Sequence, residues 1–410
     1  MKILYVSQYY PPEMGAPAAR VSAFARRWAA AGHAVTVLTT FPNHPTGVIP
    51  PEYRGLARLE ESDGGVRVVR TYIHAAPNKG VLRRSLCYAS FAMSSVLQGF
   101  GPAGRPDLVL ATSPQFLVSL SGWALSRLKG VPYVLEIRDL WPDSIVAVGA
   151  LSPGSFAIRA LRGLERFVYG QSDLAVSVTR SFVRHLEAQG ARRIAVVPNG
   201  ADPGVFRPLE DREQVRRGLG IDGRFVASFV GTLGMAHGLE TVLDAAEILR
   251  DDPAYLFWLI GEGARRSELE EAARRRGLTN LRFEGQVPRS KVPVLLAASD
   301  AALVLLRPDP LFETVLPSKM FEAMAAARPV VLGVGGEARE LLLESGGGIA
   351  IPPGDAPALA AALRTLRGEP ATADALGRSG RDFVVRRFSH DALAAAYVRE
   401  LQSLLETKRR

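Results

Sequence analysis

The run Pro317-Ser318-Lys319-Met320-Phe321-Glu322-Ala323-Met324-Ala325, followed by Arg328-Pro329-Val330-Val331, combines residue types that can hold an anion. It lies between two short, continuous, Val/Leu-rich runs, 301–306 and 330–334, which predict buried strands. The segment between them is helix-length, and Ser318 stands where an N-cap belongs. A loop at the carboxyl end of one strand then opens a helix whose first backbone N–H groups lack intrahelical partners, which makes an anion site. Lys319 adds a charge in the first turn, against the helix dipole, and so points to a bound anion. Glu322, about one turn on, can accept two hydrogen bonds from a diol such as a ribose. The plain alternative is an ordinary strand–helix–strand crossover with a solvated Lys and Glu. This stretch alone does not separate the two.

The elements that must position these residues recur along the chain. At 410 residues, two domains are expected. Hydrophobic residues make up 47% and charged residues 22%, which excludes wholesale disorder. Cys87 is the single cysteine, so disulfides and cysteine-rich metal sites are excluded and a reducing compartment fits. The start reads as a strand with no signal-peptide cleavage site, and no run reaches the roughly 18 apolar residues of a membrane span. The net charge of +9 suits nucleotides or phospholipid surfaces. Nucleic acid is not expected as a partner, because the arginines are dispersed and no basic run is interleaved with aromatics.

Residues 2–7 and 34–39 read as strands around a helical 18–31 that ends at Gly32. The intervening loop, Tyr9 to Pro17, is rigid. Gly15 lets a substrate approach its backbone, although no G-x-G-x-x-G fingerprint is present. The Pro/Gly-rich 42–55 reads as a long loop of the kind that borders a site. Residues 80–100 open after Lys79 with Arg83 and Arg84 and run on almost without charge, which predicts either a membrane-surface helix or a buried helix with one basic end. Residues 117–128 predict a second apolar helix. After strands 107–111 and 131–137 come Arg138 and Asp139, at a strand's carboxyl end where open α/β sheets bind ligands, or else merely paired to each other. Strands 175–178 and 194–197 close the first half, and the turn Pro198-Asn199-Gly200-Ala201-Asp202 opens a linker running to Pro208. In the second half, strands 225–230, 257–260 and 281–284 are each followed by a glycine loop: Gly231–Gly238, Gly261–Gly263 and Gly285–Pro288. In a parallel sheet these loops line one rim with Lys319. His237 either faces that pocket or sits on the surface. A last amphipathic helix covers 389–407, after a segment 378–388 that can carry the chain back across the linker.

Taken in order and spacing, Tyr9–Arg20, Arg138–Ser144, Val197–Asp202, Gly231–Gly238, Gly261–Leu269, Phe283–Pro288 and Pro317–Val331 resemble the retaining glycosyltransferases of family 4, over nearly the whole chain. Within that family the motifs look most like members that build O-antigen lipopolysaccharide, capsule or exopolysaccharide repeats, including amino-sugar transferases. The resemblance implies an α/β fold of two Rossmann-like domains facing across a cleft, the GT-B architecture. Residues 1–200 would be the N-terminal acceptor-binding domain, with helix 389–410 packing back on it, and 201–388 the C-terminal nucleotide-sugar-binding domain. It also implies Glu322 on the ribose and Val287 near the base. Lys319 and the loop Gly231–Gly238, with Thr232 and His237, would surround the diphosphate. Pro317, Ser318, Gly261 and Asn199 would complete the donor site, and Glu13 and Gly15 would lie in the loop toward the acceptor.

Three departures from the family pattern stand out. Thr314 occupies the first of the family's two glutamate positions, with Glu313 one residue out of register. Thr232 and His237 stand where many members carry an Arg and a Lys, and Arg138 replaces a usual His. Lys319, helped by Arg138, is expected to supply part of the lost charge.

The chemistry follows from charge. Breaking a glycosyl–phosphate bond leaves negative charge on the β-phosphate, so stabilising it is the main electrostatic task. A helix N-terminus with Lys319 can do this without a metal, and the chain has no Asp-x-Asp. No cofactor is expected, since the nucleotide-sugar is a substrate. No convincing pair of flanking carboxylates supports double displacement. As in the family, retention by same-face attack is expected, with Asp139 orienting hydroxyls. The expected activity is hexosyl transfer, with an N-acetylated amino sugar as one candidate, from a UDP-linked donor to a lipid-linked or growing glycan. This would take place in the cytoplasm, peripherally on the anionic inner face of the cell membrane. A nucleotide-sugar epimerase of the same fold and a non-catalytic scaffold of a polysaccharide-assembly complex are the alternatives.

Overall fold

The computed structural model describes residues 1–410 apart from 14, 45, 77–80, 114, 148, 150 and 410, and of 81, 82, 147 and 409 the backbone alone. Lys79 and Gly80, the expected start of the first apolar helix, therefore lie outside the described residues. The chain forms two units, Met1–Pro198 with Leu393–Arg410, and Asn199–Ala392.

Unit 1 is built on strands β1 (Lys2–Val6), β2 (Ala34–Thr40), β3 (Arg58–Asp63), β4 (Val66–Thr71), β5 (Leu108–Thr112), β6 (Tyr133–Ile137), β7 (Leu174–Ser177) and β8 (Ile194–Val196). They make an eight-stranded sheet in the order β3-β4-β2-β1-β5-β6-β7-β8. Strands β5, β6 and β7 are buried at every position, as their unbroken apolar runs require of strands covered on both faces. All pairings are parallel except that of β3, which runs antiparallel to β4. The β3–β4 hairpin escapes a search for apolar runs, because β3 reads Arg-Leu-Glu-Glu-Ser-Asp and alternates exposed with half-buried positions. A polar edge strand resists pairing with other chains. The strand order reverses between β1 and β5, the topological switch point of the sheet.

One face of unit 1 is completed by the last helix, His390–Arg409. Its Leu393, Tyr397, Leu401 and Leu404 join Tyr5, Phe24 and Trp28 in a single core. Trp28 Nε1 donates to Ala394 O at 3.0 Å, so the indole is buried with its polar atom satisfied.

Unit 2 carries β9 (Phe225–Val230), β10 (Tyr255–Ile260), β11 (Leu281–Glu284), β12 (Ala301–Leu305), β13 (Val330–Gly333) and β14 (Gly348–Ala350), all parallel. Their order, β11-β10-β9-β12-β13-β14, is the doubly wound arrangement with its switch point between β9 and β12. The stretch read as the interdomain linker is fastened within unit 2 from Asn199 onward. Ala201 N–H donates to Phe388 O and Ala201 O accepts from His390 N–H, at 3.1 and 2.9 Å. Arg381 donates to Phe206 O at 3.0 Å. Phe206 is buried, so apolar packing as well as hydrogen bonding holds the segment.

Candidate functional site

In unit 2 the helix Ser318–Ala325 follows β12 and its loop. The cap differs from the sequence expectation: Pro317 holds the N-cap position at φ −67°, no side chain caps the helix, and Ser318 is its first helical residue. A proline that fixes φ and brings no N–H suits this junction, and the helix starts one residue earlier than expected.

Lys319 extends from the first turn to a buried position where its Nζ has no hydrogen-bond partner among the described residues. The ammonium lies 3.8 Å from the centroid of the Phe229 ring. Gly231, with φ +147°, brings the chain so close that a Cβ there would sit 3.0 Å from Nζ. Burial pushes the Lys319 pKa down to about 7, and the carboxylate of Glu322 opposes this only in part. A cation held at such desolvation cost, without a partner, is arranged to receive an anion.

Glu322 is not free. Arg289, from the loop after β11, grips its carboxylate with two nitrogens, and the same guanidinium lies 5.2 Å from the Phe206 ring. Sequence reading missed Arg289, whose only signal was its place just beyond the third glycine loop. A diol reaching Glu322 competes with this ion pair.

His237 is largely buried rather than a surface residue. Its Nδ1 is 3.3 Å from Leu305 O, and its ring meets Phe229 edge-on at 5.3 Å. Burial, and secondarily the charge of Lys319, pushes its pKa down to about 3. The ring is therefore neutral, and with Nδ1–H on the carbonyl, Nε2 is left as an acceptor. It supplies none of the charge missing from this loop. Thr232 is exposed beside it.

Two glycines are fixed by close approach. A Cβ on Gly261 would lie 2.0 Å from Gly231 O, and one on Gly263 would lie 2.3 Å from Leu233 O. Asn199 Nδ2 donates to Leu316 O at 3.4 Å and tethers the segment before Pro317. Val287 packs half-buried against the core cluster that contains Trp258. A cavity of about 330 Å³ opens at the ends of β12 and β13, lined among others by Arg307, Asp309, Phe312, Glu313 and Gly335. Thr314 is turned away, its hydroxyl donating to Leu311 O at 2.6 Å, so Glu313 brings a carboxylate here despite its register.

In unit 1, Gly15 stands at φ +128° before the helix Ala16–Ala30. Glu13 is buried, and its Oε1 accepts from Asn43 N–H and His44 N–H at 2.8 and 3.0 Å. Burial raises its pKa to about 7, against those two bonds. Arg138 and Asp139 follow β6. No ion pair joins them among the described residues, so the plain reading of a mutual pair fails. Burial pushes the Asp139 pKa up and the Arg138 pKa down, and Arg138 feels the charges of Arg20 and Glu136 most strongly among its neighbours. Glu136 is wholly buried and lies at 3.0 Å from Arg20, with Tyr5 and Thr112 hydroxyls donating to its other oxygen at 3.2 and 2.7 Å. Arg20 also donates to Val197 O and Pro198 O at 2.8 and 2.7 Å.

Comparison with known proteins agrees with this architecture. Residues 15–200 match the Glycosyl transferase 4-like domain, and residues 224–368 match Glycosyl transferases group 1. The 2-deoxystreptamine glucosyltransferase of Streptomyces kanamyceticus is 30% identical over 303 residues, 69% of this chain and 73% of that protein. The chain belongs to the family 4-like glycosyltransferases. This glycosyltransferase is also similar to the putative colanic acid biosynthesis glycosyl transferase WcaI of Escherichia coli, 28% identical over 81% of this chain and 83% of the relative. It shares its GT-B fold with Anabaena Alr3699/HepE, solved in complex with UDP and glucose: TM-score 0.73 at 19% identity, covering 98% of this chain and 100% of that one.

Proposed function

We propose that this enzyme transfers a hexose from a nucleotide-diphosphate carrier to a lipid-linked or growing glycan of a cell-surface polysaccharide, with retention and without a metal. The observation that carries this reading is the unpartnered Lys319 ammonium beside Gly231 at the switch point of unit 2. A diphosphate there gains a cation and backbone donors, and the charge that develops on the departing β-phosphate is met by groups already in position. Ribose hydroxyls reach Glu322 as Arg289 yields it. The cavity with Arg307, Asp309 and Glu313 adjoins the glycine loop Gly231–Gly238 through the bond from Arg307 N–H to Ala236 O, 2.9 Å, and suits the sugar. UDP as carrier is supported by the HepE complex, and a polysaccharide role by the likeness to WcaI, a putative colanic acid biosynthesis glycosyl transferase.

The acceptor's lipid is matched by a surface on unit 1. Helix Val81–Leu97 buries Phe91 but leaves Leu86, Met93 and Leu97 51%, 64% and 76% exposed, with Arg83 exposed near its start. Leu128 is also exposed, and Lys129 lies 3.7 Å from the Phe100 ring. Among the described residues no helix is long and apolar enough to cross a membrane. An apolar stripe with basic flanks fits the anionic inner face of the cell membrane.

Melting curves with UDP, GDP, dTDP and ADP, each with EDTA and with magnesium, test the donor half. A ligand at about 100 times its Kd adds roughly 2.7 kcal/mol. One nucleotide should raise the melting temperature equally in EDTA and magnesium, and the rise should vanish in Lys319→Met. No rise with any nucleotide sinks the reading, and a rise seen only with magnesium sinks its metal-free part.

A further inference from the structure

The imidazole of His237 stands between two parts of the unit 2 site. It closes the short turn Met235–His237 in the loop after β9, just before Gly238 at φ +55°. On one side its ring meets Phe229 at 5.3 Å, and the Lys319 ammonium lies 3.8 Å from the centroid of that same Phe229 ring. On the other side its Nδ1 is 3.3 Å from Leu305 O, and the next two residues, Leu306 and Arg307, line the cavity of about 330 Å³. Both neighbours of His237 are held against Arg307 as well. Ala236 O accepts from Arg307 N–H at 2.9 Å, and a Cβ on Gly238 would lie 3.5 Å from Arg307 Cα. A substrate with its phosphate at Lys319 and its sugar in the cavity therefore passes His237.

The local bond fixes what the ring can offer. A carbonyl oxygen only accepts, so the Nδ1 beside Leu305 O carries the proton, and Nε2 of the neutral ring has a lone pair alone. Among the described residues nothing bonds to Nε2. An imidazole is already uncharged above about pH 7.5, and burial beside the ammonium keeps this one neutral well below that. Phosphate oxygens at such pH are acceptors too and give Nε2 nothing.

What complements Nε2 is an O–H or N–H. In a nucleotide-sugar the β-phosphate is joined to C1, and the ring oxygen beside C1 can only accept. The donor nearest the phosphate is therefore the substituent on C2, a hydroxyl or an acetamido N–H. We infer that His237 accepts a hydrogen bond from the C2 substituent of the transferred sugar and selects donors whose C2 carries an O–H or N–H. That moves His237 from the diphosphate, where the family resemblance would put it, to the sugar. The inference rests on the proposed donor site, with the β-phosphate at Lys319.

The test is titration calorimetry on the full chain with UDP, UDP-glucose, UDP-N-acetylglucosamine and UDP-2-deoxy-2-fluoroglucose, whose fluorine cannot donate. If the melting curves select another nucleotide, that carrier replaces UDP throughout. His237→Asn keeps a side-chain N–H for Leu305 O but has no atom at the place of Nε2, and His237→Phe keeps the ring. The two delete the acceptor by different routes, and their melting temperatures check that they fold. The wild type should bind the better of the two unfluorinated sugar nucleotides about tenfold or more tightly than the fluorinated one. In each variant that ratio should shrink to about twofold or less, while the affinity for UDP alone stays as it was. The comparison within the wild type needs no variant: lack of discrimination there overturns the inference. A ratio that survives both substitutions, or a loss of UDP affinity in both, overturns it too. A wild type that binds UDP without reading C2 defeats only this role of His237, whereas one that binds no nucleotide defeats the transfer reaction with it.

Discussion

An ammonium buried away from water holds its proton weakly, and Lys319, its pKa pushed down to about 7 by burial, titrates near neutrality for this reason. Between about pH 7 and its ordinary value of 10.5 the unfolded chain binds a proton that the folded chain lacks, so its contribution to stability rises with pH across that window. A bound diphosphate restores the charge. Nucleotide binding at pH 8 should therefore take up about one proton, which calorimetry in buffers of different ionisation enthalpy will read. No uptake, or the same uptake in Lys319→Met, contradicts the assignment. Glu13 runs the other way. Its folded pKa, raised from 4.5 to about 7, means that stability is lost as pH rises through that window. Glu13→Gln imitates the neutral form, so the variant should match the wild type near pH 5. By pH 8 it should be more stable by on the order of 2–3 kcal/mol, or roughly 5–10 °C in melting temperature. A difference that does not change with pH refutes this. Lys319 and Glu322 stand out in the sequence because their types and spacing suit an anion and a diol. Arg289 does not, since a sequence shows which groups a residue carries but not whether a partner meets them.

The elements were legible in proportion to their burial. Strands such as Tyr255–Ile260 and Val330–Gly333 are wholly buried, and their apolar runs give them away. Arg58–Asp63 is a strand only because β4 lies beside it. The glycine loops were visible as loops, but the reason for each glycine is a contact between loops. Gly261→Ala forces a methyl group into Gly231 O and onto a φ of +141°, so it should cost roughly 2–4 kcal/mol in urea unfolding. A variant as stable as the wild type disproves the close approach. The apolar helix is half legible: its pattern fits a core or a membrane surface, and the exposure of Met93 and Leu97 shows that it is not wholly buried. Anionic vesicles at low salt should float the protein, and Met93→Glu with Leu97→Glu should reduce the bound fraction several-fold, since each replaces an apolar contact with like-charge repulsion. Equal flotation of wild type and variant removes this helix from the membrane surface.

At the scale of the whole molecule, the chain leaves unit 1 at Pro198 and re-enters it at Leu393. Arg20 holds the outgoing segment by two carbonyls, and Trp28 holds the returning one. Truncation after Ala392 removes Leu393, Tyr397, Leu401 and Leu404 from the core and uncovers Phe24 and Trp28. The shortened protein should bind the dye ANS and lose the cooperative melting of unit 1; a truncated chain that melts as sharply as the full one shows that the helix is dispensable. The same connectivity orders the events of synthesis. Translation runs from the amino end, so the sheet of unit 1 emerges well before the helix His390–Arg409 that covers one of its apolar faces. Unit 2, whose residues are contiguous, has all its parts in hand earlier. The first unit to be made is the last that can be finished, and in the interval the nascent chain displays a greasy surface that a cellular chaperone is equipped to shield.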